Sequence, residues 1–138
     1  MTLIDRVIAG FGPEDTAQYQ IIQYCSLHGI PVFHVPNSTW TKSPMVRMKN
    51  LLLGVQPGVS DLFHPLPNIG MVIIELKRPR IKGQPRGRVS VEQHYWIKLF
   101  NTVPGTQAFV AEGFDEWLGI MKPYIAALPK LPVESLIF

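Results

Sequence analysis

Residues 71–77 read MVIIELK, a run that is apolar on both faces until its last three positions. The β-branched residues at 72–74 predict a central strand that is buried on both sides. Glu75 and Lys77 follow at once and share one face, because side chains alternate along a strand. Charges at a buried strand end are costly unless they are paired with each other or with a metal ion. The alternative is a surface strand end whose Glu and Lys lie in water.

The pattern around this strand predicts an α/β domain with the element order αβββαβα. Helices are expected at 14–28 and 90–103, and a last helix carries Phe114, Trp117, Met121 and Tyr124 at helical spacing. The other strands are expected at 30–35, 59–64 and 106–111. Residues 38–58 are interpreted as a loop with at most one turn of structure, and 65–70 as a turn. The order implies a mixed four-stranded sheet flanked by helices.

The composition suits one compact domain in a reducing compartment. The chain has 138 residues, of which 46% are hydrophobic and 17% charged, so it can bury one core. That core is expected at about 14–122, followed by an apolar tail at 129–138. A single cysteine, Cys25, and scattered histidines give no disulfide and no zinc motif. No secretion signal or membrane span is expected, so the predicted location is cytoplasmic.

The basic residues are concentrated in two segments. The formal net charge is only +3, yet six of the 13 basic residues fall within 77–88. Solvated loops and contacts to a phosphate backbone are both consistent with such clusters. The candidate DNA-binding residues are Lys42, Arg47, Lys49, Arg78, Arg80, Lys82, Arg86 and Arg88.

Asp61 adds a second carboxylate to the same end of the sheet. It lies near the start of the strand predicted at 59–64, and a hairpin through 65–70 brings it beside Glu75. Two carboxylates then converge near the ammonium group of Lys77. Such a group suits Mg²⁺ or Mn²⁺, which prefer oxygen ligands and bind through one or two carboxylates plus substrate phosphate. Lys77 is expected to stay off the metal and to stabilise an attacking hydroxide or developing charge.

Further motifs accompany this cluster in a fixed order along the chain. They are Glu14 opening the first helix, GIPVFHVPN at 29–37, Gly54 with PGVSDL at 57–62, IELK at 74–77, Glu92-Gln93, and GFDE at 113–116. The ordered series resembles the PD-(D/E)xK nuclease superfamily and, within it, the VRR-NUC domain, over residues 14–121. A single E-x-K triplet is common by chance, whereas the series with its intervening lengths is fairly specific.

The resemblance implies a restriction-endonuclease-like core and assigns roles to individual residues. Asp61 and Glu75 match the carboxylates that bind the divalent metal, helped by the backbone carbonyl of Leu76. Lys77 matches the catalytic lysine. Ser60 stands where the superfamily motif has proline, a position that shapes the backbone and supplies no ligand.

Two further residues of the resemblance also have simpler interpretations. Glu14 matches a first-helix acid that approaches the metal, and Gln93 matches a helix glutamine that completes the catalytic site. However, an acid in the first turn of a helix also offsets the helix dipole. The sequence SVEQ at 90–93 is likewise a capping box, in which Gln93 bonds back to the amide of Ser90.

The function predicted from these residues and from the resemblance is a metal-dependent endodeoxyribonuclease. Stand-alone domains of this kind resemble Holliday junction resolvases, which implies a homodimer acting on branched DNA, such as junctions or flaps, in replication, repair or recombination. A bacterial or phage-encoded protein fits that role. The alternatives are a sequence-specific restriction-type endonuclease and a non-catalytic DNA-binding subunit with the same fold.

Overall fold

The computed structural model describes residues 1–36 and 42–129. The helices and strands are, in order, α1 (Leu3–Ala9), α2 (Pro13–His28), β1 (Phe33–His34), α3 (Pro44–Leu52), β2 (Leu62–Leu66), β3 (Gly70–Lys77), α4 (Val91–Phe100), β4 (Thr106–Glu112) and α5 (Gly113–Ala127). The tail predicted at 129–138 lies outside the described residues except for Pro129. Within the described ranges there is no helix whose length and hydropathy suit a membrane crossing.

The four strands form one mixed sheet in the order β1-β2-β3-β4, which confirms the predicted fold class. The first three strands are antiparallel, and β4 runs parallel to β3 after the crossover through α4. The carboxyl ends of β3 and β4 therefore meet at the same edge, with Lys77 opposite Glu112.

The main core lies between one face of the sheet and the helices α2 and α5. Its fully buried side chains include Ile21 and Cys25 of α2, Trp117 and Met121 of α5, and Val72, Ile74 and Leu76 of β3. β3 lies between β2 and β4, and its residues 72–76 are all buried, so it is the central strand that the sequence predicts.

Helix α4 covers the opposite face of the sheet. The ring of Phe100 meets that of Phe63 edge to face, with centroids 5.9 Å apart, and Asn101 bonds both backbone groups of Ala108. The apolar residues at helical spacing point away from the sheet instead: Val91, Tyr95 and Leu99 are 81%, 60% and 39% exposed. Spacing alone does not identify the buried face of this helix.

The interpretation of 38–58 as a loop is wrong for its described part, because Pro44–Leu52 is a helix. Ser43 caps it by accepting a hydrogen bond from the amide of Val46, and Pro44 occupies its first turn. No residue of this helix is buried, so it lacks the core-facing stripe that identifies other helices. A short helix before residue 14, Leu3–Ala9, is also absent from the predicted order, and it too buries no residue.

The strand bounds differ from the prediction at two places. β1 comprises only Phe33–His34, and β2 begins at Leu62, so Asp61 lies just before the strand. β2 also runs through Pro65, which is opposite Met71. The amide of Met71 points away from β2 and donates to the carbonyl of Gly105. Pro65 and Met71 are therefore a non-hydrogen-bonded pair of the ladder, and the missing N–H of proline costs no hydrogen bond between β2 and β3. The strand therefore extends to Leu66, and the turn contracts to the three residues before Gly70.

Candidate active site

Asp61 is held in place by three hydrogen bonds from two strands. Its Oδ2 accepts a 2.9 Å bond from the amide of Leu76, and its backbone carbonyl accepts from the amide of Val35 at 3.0 Å and from Nδ1 of His34 at 2.9 Å. The carboxylate therefore lies against the end of β3, next to Glu75. The hairpin between β2 and β3 closes as the sequence predicts.

The close approach of the preceding loop to α4 requires glycine at position 58. Gly58 has φ +82°, and a Cβ there would lie 2.6 Å from the carbonyl carbon of Glu92 and 2.7 Å from the amide of Gln93. Trp96 reinforces the contact by donating from Nε1 to the carbonyl of Pro57 at 3.1 Å. The loop that carries Asp61 is thus packed directly on the first turn of α4.

Gln93 joins Glu75 and Lys77 from that first turn. Its Nε2 donates a 2.7 Å hydrogen bond to Glu75 Oε1, and its Oε1 accepts a 2.9 Å bond from Lys77 Nζ. The ammonium group itself lies 3.7 Å from Glu75 Oε1. The same Oε1 of Gln93 also accepts from the amide of Ser90 at 2.9 Å, so the capping box is formed as well.

The two carboxyl groups of the cluster lie in a poorly solvated environment. Glu75 is 3% exposed, and its buried Oε2 has no hydrogen-bond partner among the residues that the structure describes. Burial, and next the negative charge of Asp61, raise the pKa of Glu75 to about 8. Burial also raises the pKa of Asp61, although the hydrogen bond from the amide of Leu76 opposes the shift. Lys77, Gln93 and the amide of Leu76 therefore compensate the negative charge of the two carboxylates only in part.

Glu14 lies at the start of α2 and is exposed. Its pKa is raised by partial desolvation and then by the negative charge of Asp61, while Lys77 opposes the shift. It therefore belongs to the electrostatic surroundings of the site. Its position in the first turn also suits the helix dipole, so the simpler role holds as well.

The donor set fits a hard divalent cation. A buried carboxylate oxygen without a partner and two mutually repelling carboxyl groups are the features that such an ion compensates. In residues 1–36 and 42–129, no three His, Cys, Asp or Glu side chains are close enough together to hold a metal ion. The side chains that could hold such an ion are Asp61 and Glu75, and Glu14 lies outside their immediate group.

The predicted DNA-binding residues occupy two different surfaces. Lys42, Arg47 and Lys49 are exposed on α3 or just before it. The others lie in the segment that joins β3 to α4, residues 78–89, which we call the strap. Within it, Arg78 donates to the carbonyl of Pro85 at 2.9 Å, and Arg86 pairs with Glu112 and Glu116. Arg80, Lys82 and Arg88 form no ion pair with any residue that the structure describes.

Two histidines have roles that the sequence does not reveal. His34 supports Asp61, as described above. His64 is fully buried, accepting a 3.1 Å hydrogen bond from Trp117 Nε1 while its Nδ1 contacts the carbonyl of Pro31 at 2.9 Å. Because a carbonyl only accepts, Nδ1 carries the proton and His64 is neutral. Alternation from Leu62 is the signal that places His64 on the core face.

Comparisons with known proteins support the fold. No protein-family model matches the chain, and no curated protein matches it. Among the solved structures, a "VRR_NUC domain protein" superimposes with a TM-score of 0.61 at 20% sequence identity. The match covers 92% of this chain and 98% of that one. The fold implied by the resemblance is therefore confirmed, and this chain has the fold of a VRR-NUC domain.

Proposed function

We propose that this protein is a metal-dependent endonuclease that hydrolyses phosphodiester bonds in DNA. The observation that carries the proposal is the arrangement at the end of β3. There the unpartnered Oε2 of Glu75 and the neighbouring carboxylate of Asp61 lie beside the ammonium group of Lys77. The fold shared with a VRR_NUC domain protein agrees with this chemistry.

Asp61 and Glu75 are the proposed ligands of Mg²⁺ or Mn²⁺, together with the backbone carbonyl of Leu76. When bound, such an ion polarises the phosphate and lowers the pKa of a coordinated water. Glu14 adds negative charge near the site, which favours retention of a cation. The chemistry fits a pair of carboxylates whose mutual repulsion Lys77 offsets only in part.

Lys77 is the proposed catalytic cation. Its ammonium group is fixed by Gln93 at 2.9 Å and needs no reorganisation to meet charge that develops on the phosphate oxygens. Hydrolysis forms a bond from phosphorus to the water oxygen and breaks one ester bond. Negative charge accumulates on the phosphate oxygens and on the departing ester oxygen as this happens. Gln93 acts by holding Lys77 and Glu75 in a common geometry.

Exposed basic side chains are the proposed contacts for the phosphate backbone. Those on or before α3 are Lys42, Arg47 and Lys49, and those on the strap are Arg80, Lys82 and Arg88, with Arg78 at its base. Contacts of this kind give affinity without reading the base sequence. A nuclease built in this way recognises the shape of its substrate, and we therefore propose branched DNA such as a Holliday junction or a flap.

A homodimer is proposed because a branched substrate presents two equivalent strands to two active sites. Helix α3 carries apolar side chains that the described residues leave uncovered: Met45 and Leu52 are 84% and 78% exposed. Exposed apolar surface of this kind is typical of interaction sites. Light scattering should give twice the monomer mass, and a monomeric species that cuts both strands of a junction symmetrically would remove the argument for paired sites.

The nuclease proposal is tested by incubating the protein with labelled four-way junction, flap and linear duplex DNA in Mg²⁺ or Mn²⁺. We expect cleavage of branched DNA that EDTA abolishes and that persists when the base sequence is scrambled. Glu75→Gln and Lys77→Ala should each be inactive, while Lys98→Ala, a lysine in the last turn of α4, is the matched control. Cleavage without metal, or full activity of both site variants, would refute the proposal. Cuts at a defined sequence in linear duplex would indicate a restriction-type enzyme, and binding without cleavage an inert subunit.

A further inference from the structure

Arg86 differs from the other basic residues of the strap because it is bound to two carboxylates. Its Nε donates to Glu112 Oε1, and its Nη2 lies 3.5 Å from Glu116 Oε1. The Glu112 side chain is only 2% exposed, whereas that of Arg86 is 60% exposed. Because the Glu112 side chain is packed in the interior, its ion pair with Arg86 is anchored there. Arg86 thereby ties the strap to the end of β4 and the first turn of α5.

The residue after Arg86 lies directly against the stem of Lys77. A Cβ on Gly87 would be 3.0 Å from Lys77 Cβ, 3.3 Å from its Cγ and 3.5 Å from its Cδ. The strap backbone therefore already occupies the space beside the lysine, whose side chain is 13% exposed. A lysine stem is flexible, and confining it restricts the positions that the ammonium group can reach.

The anchor and the confined residue are close neighbours in the sheet. Glu112 is the register partner of Lys77 in the parallel pair of β3 and β4. Arg78, the first residue of the strap, donates to Pro85 and so closes the segment on itself just before Arg86. The contacts at 85–87 thus form a continuous support from Glu112 to the Lys77 stem.

We propose that Arg86 is a positioning residue for Lys77 and not a ligand of a DNA phosphate. Its ion pairs with Glu112 and Glu116 hold the strap so that Gly87 confines the lysine and directs the ammonium group towards Glu75. The inference rests on the proposed nuclease function, in which Lys77 acts on the phosphate. Its signature is a loss of turnover with DNA affinity retained.

Three variants test this proposal. Arg86→Gln removes the anchor. Gly87→Ala keeps the anchor but forces a Cβ against the stem, so it tests the same contact even if Arg86→Gln fails to fold. Arg88→Gln is the comparison for loss of a phosphate contact, since Arg88 is an exposed arginine of the same strap without an ion pair among the described residues. Lys98→Ala, outside the strap in the last turn of α4, is the control for unchanged activity.

Cleavage kinetics are measured with Mn²⁺ on labelled junction DNA, and affinity is measured by fluorescence anisotropy at several salt concentrations without divalent metal. We expect Arg86→Gln and Gly87→Ala to lower kcat by about 10- to 100-fold with unchanged Kd and salt dependence. Arg88→Gln should raise Kd and reduce the salt slope by about one, and Lys98→Ala should leave kcat, Kd and the salt slope unchanged.

A second readout does not depend on cleavage. Acetylation of Lys77 by an N-hydroxysuccinimide ester, followed by mass spectrometry, should be faster in Arg86→Gln than in the parent or in Arg88→Gln. If the parent cuts no DNA, the nuclease function fails, and the acetylation rates still decide whether Arg86 confines Lys77. The proposal is overturned if Arg86→Gln lowers the salt slope as Arg88→Gln does and leaves both kcat and Lys77 reactivity unchanged.

Discussion

Gln93 donates a 2.7 Å hydrogen bond from its amide nitrogen to Glu75, across the gap between α4 and β3. The oxygen of the same carboxamide accepts from the amide of Ser90 and from Lys77 Nζ. Helix capping and contact with the candidate site are therefore one arrangement, and Gln93 makes the hydrogen bonds that both interpretations require. The first turn of α4 is part of the candidate active site.

Gln93→Glu should separate these two roles. Glutamate also completes a capping box, so α4 keeps its cap, but the donor that faces Glu75 is replaced by a like charge. We expect a loss of kcat of roughly tenfold or more. Ser90→Ala is the counterpart, because it removes the cap at a cost of about 1 kcal/mol in the free energy of unfolding. Urea unfolding and cleavage kinetics are measured for both. Equal losses of kcat in the two folded variants would show that Gln93 acts only as a cap.

Metal binding should depend on pH through Glu75. Its pKa is about 8 in the folded protein and near 4.5 in the unfolded chain. Between these values the folded metal-free state holds more protons, so rising pH destabilises it. A cation binds the deprotonated carboxylate, and its affinity rises through the same window. Mn²⁺ should therefore raise the Tm more above about pH 8 than near pH 6. Glu75→Gln should remove this difference, and an equal shift at both pH values in the parent would contradict the assignment.

Gly58→Ala should destabilise the protein more than a substitution at another glycine with similar backbone geometry. Gly58 and Gly54 have φ values of +82° and +88°, so alanine is strained at both. The two differ in their surroundings: a Cβ at position 58 would lie 2.6 Å from the backbone of Glu92, whereas a Cβ at position 54 would have nothing within 4 Å. We expect an extra cost of about 1–3 kcal/mol for Gly58→Ala over Gly54→Ala in urea unfolding. Equal losses in the free energy of unfolding for the two variants would mean that the close contact between Gly58 and the first turn of α4 is absent.

Acid should destabilise the protein through His64. Burial lowers the pKa of this histidine from 6.5 to about 4. Between these values the unfolded chain binds the additional proton, so stability is complete above pH 6.5 and falls as pH drops towards 4. The shift corresponds to about 3 kcal/mol. Urea unfolding from pH 7 to 4 measures the change, and His64→Gln, which does not titrate, should reduce it. A parent and a variant with the same slope would contradict this account.

Ser60→Ala should stabilise the protein. The Ser60 hydroxyl is completely buried and has no hydrogen-bond partner among the described residues. Removing a buried unsatisfied hydroxyl relieves a desolvation cost of about 1 kcal/mol, and alanine leaves almost no cavity. Chemical unfolding of this variant measures the gain. A clear loss of stability would reveal a hydrogen bond to a buried water that the hydroxyl makes in solution.

The central strand and the cluster at its end are predictable from sequence because their signals are local. Three β-branched residues before Glu75 identify a buried strand, and the short hairpin back to Asp61 leaves little freedom in their relative positions. The pairing of Arg86 is not predictable in this way. Glu112 lies 26 residues further along the chain, and only the parallel crossover brings the two together.

The two helices missing from the predicted order have no core-facing hydrophobic pattern that could identify them. Pro44–Leu52 and Leu3–Ala9 bury no side chain, so neither has an apolar stripe matched to the core. Their signals are the caps: Ser43 before Pro44, and Thr2 with Asp5 in a capping box. These are short-range features, and they compete with the nearby glycines and prolines that favour a loop.

The proline in β2 bears on how the molecule behaves at high concentration. Among the described strands, β1 pairs with β2 only at Leu62 and Phe63, so the rest of β2 lies at an edge of the described sheet. Because Pro65 directs no N–H outwards, a strand from another molecule cannot continue the ladder there. Self-association by strand addition, the usual route to fibrils, is thereby obstructed along this edge. Two copies that pair through their sheets would then use β4, the strand at the opposite edge.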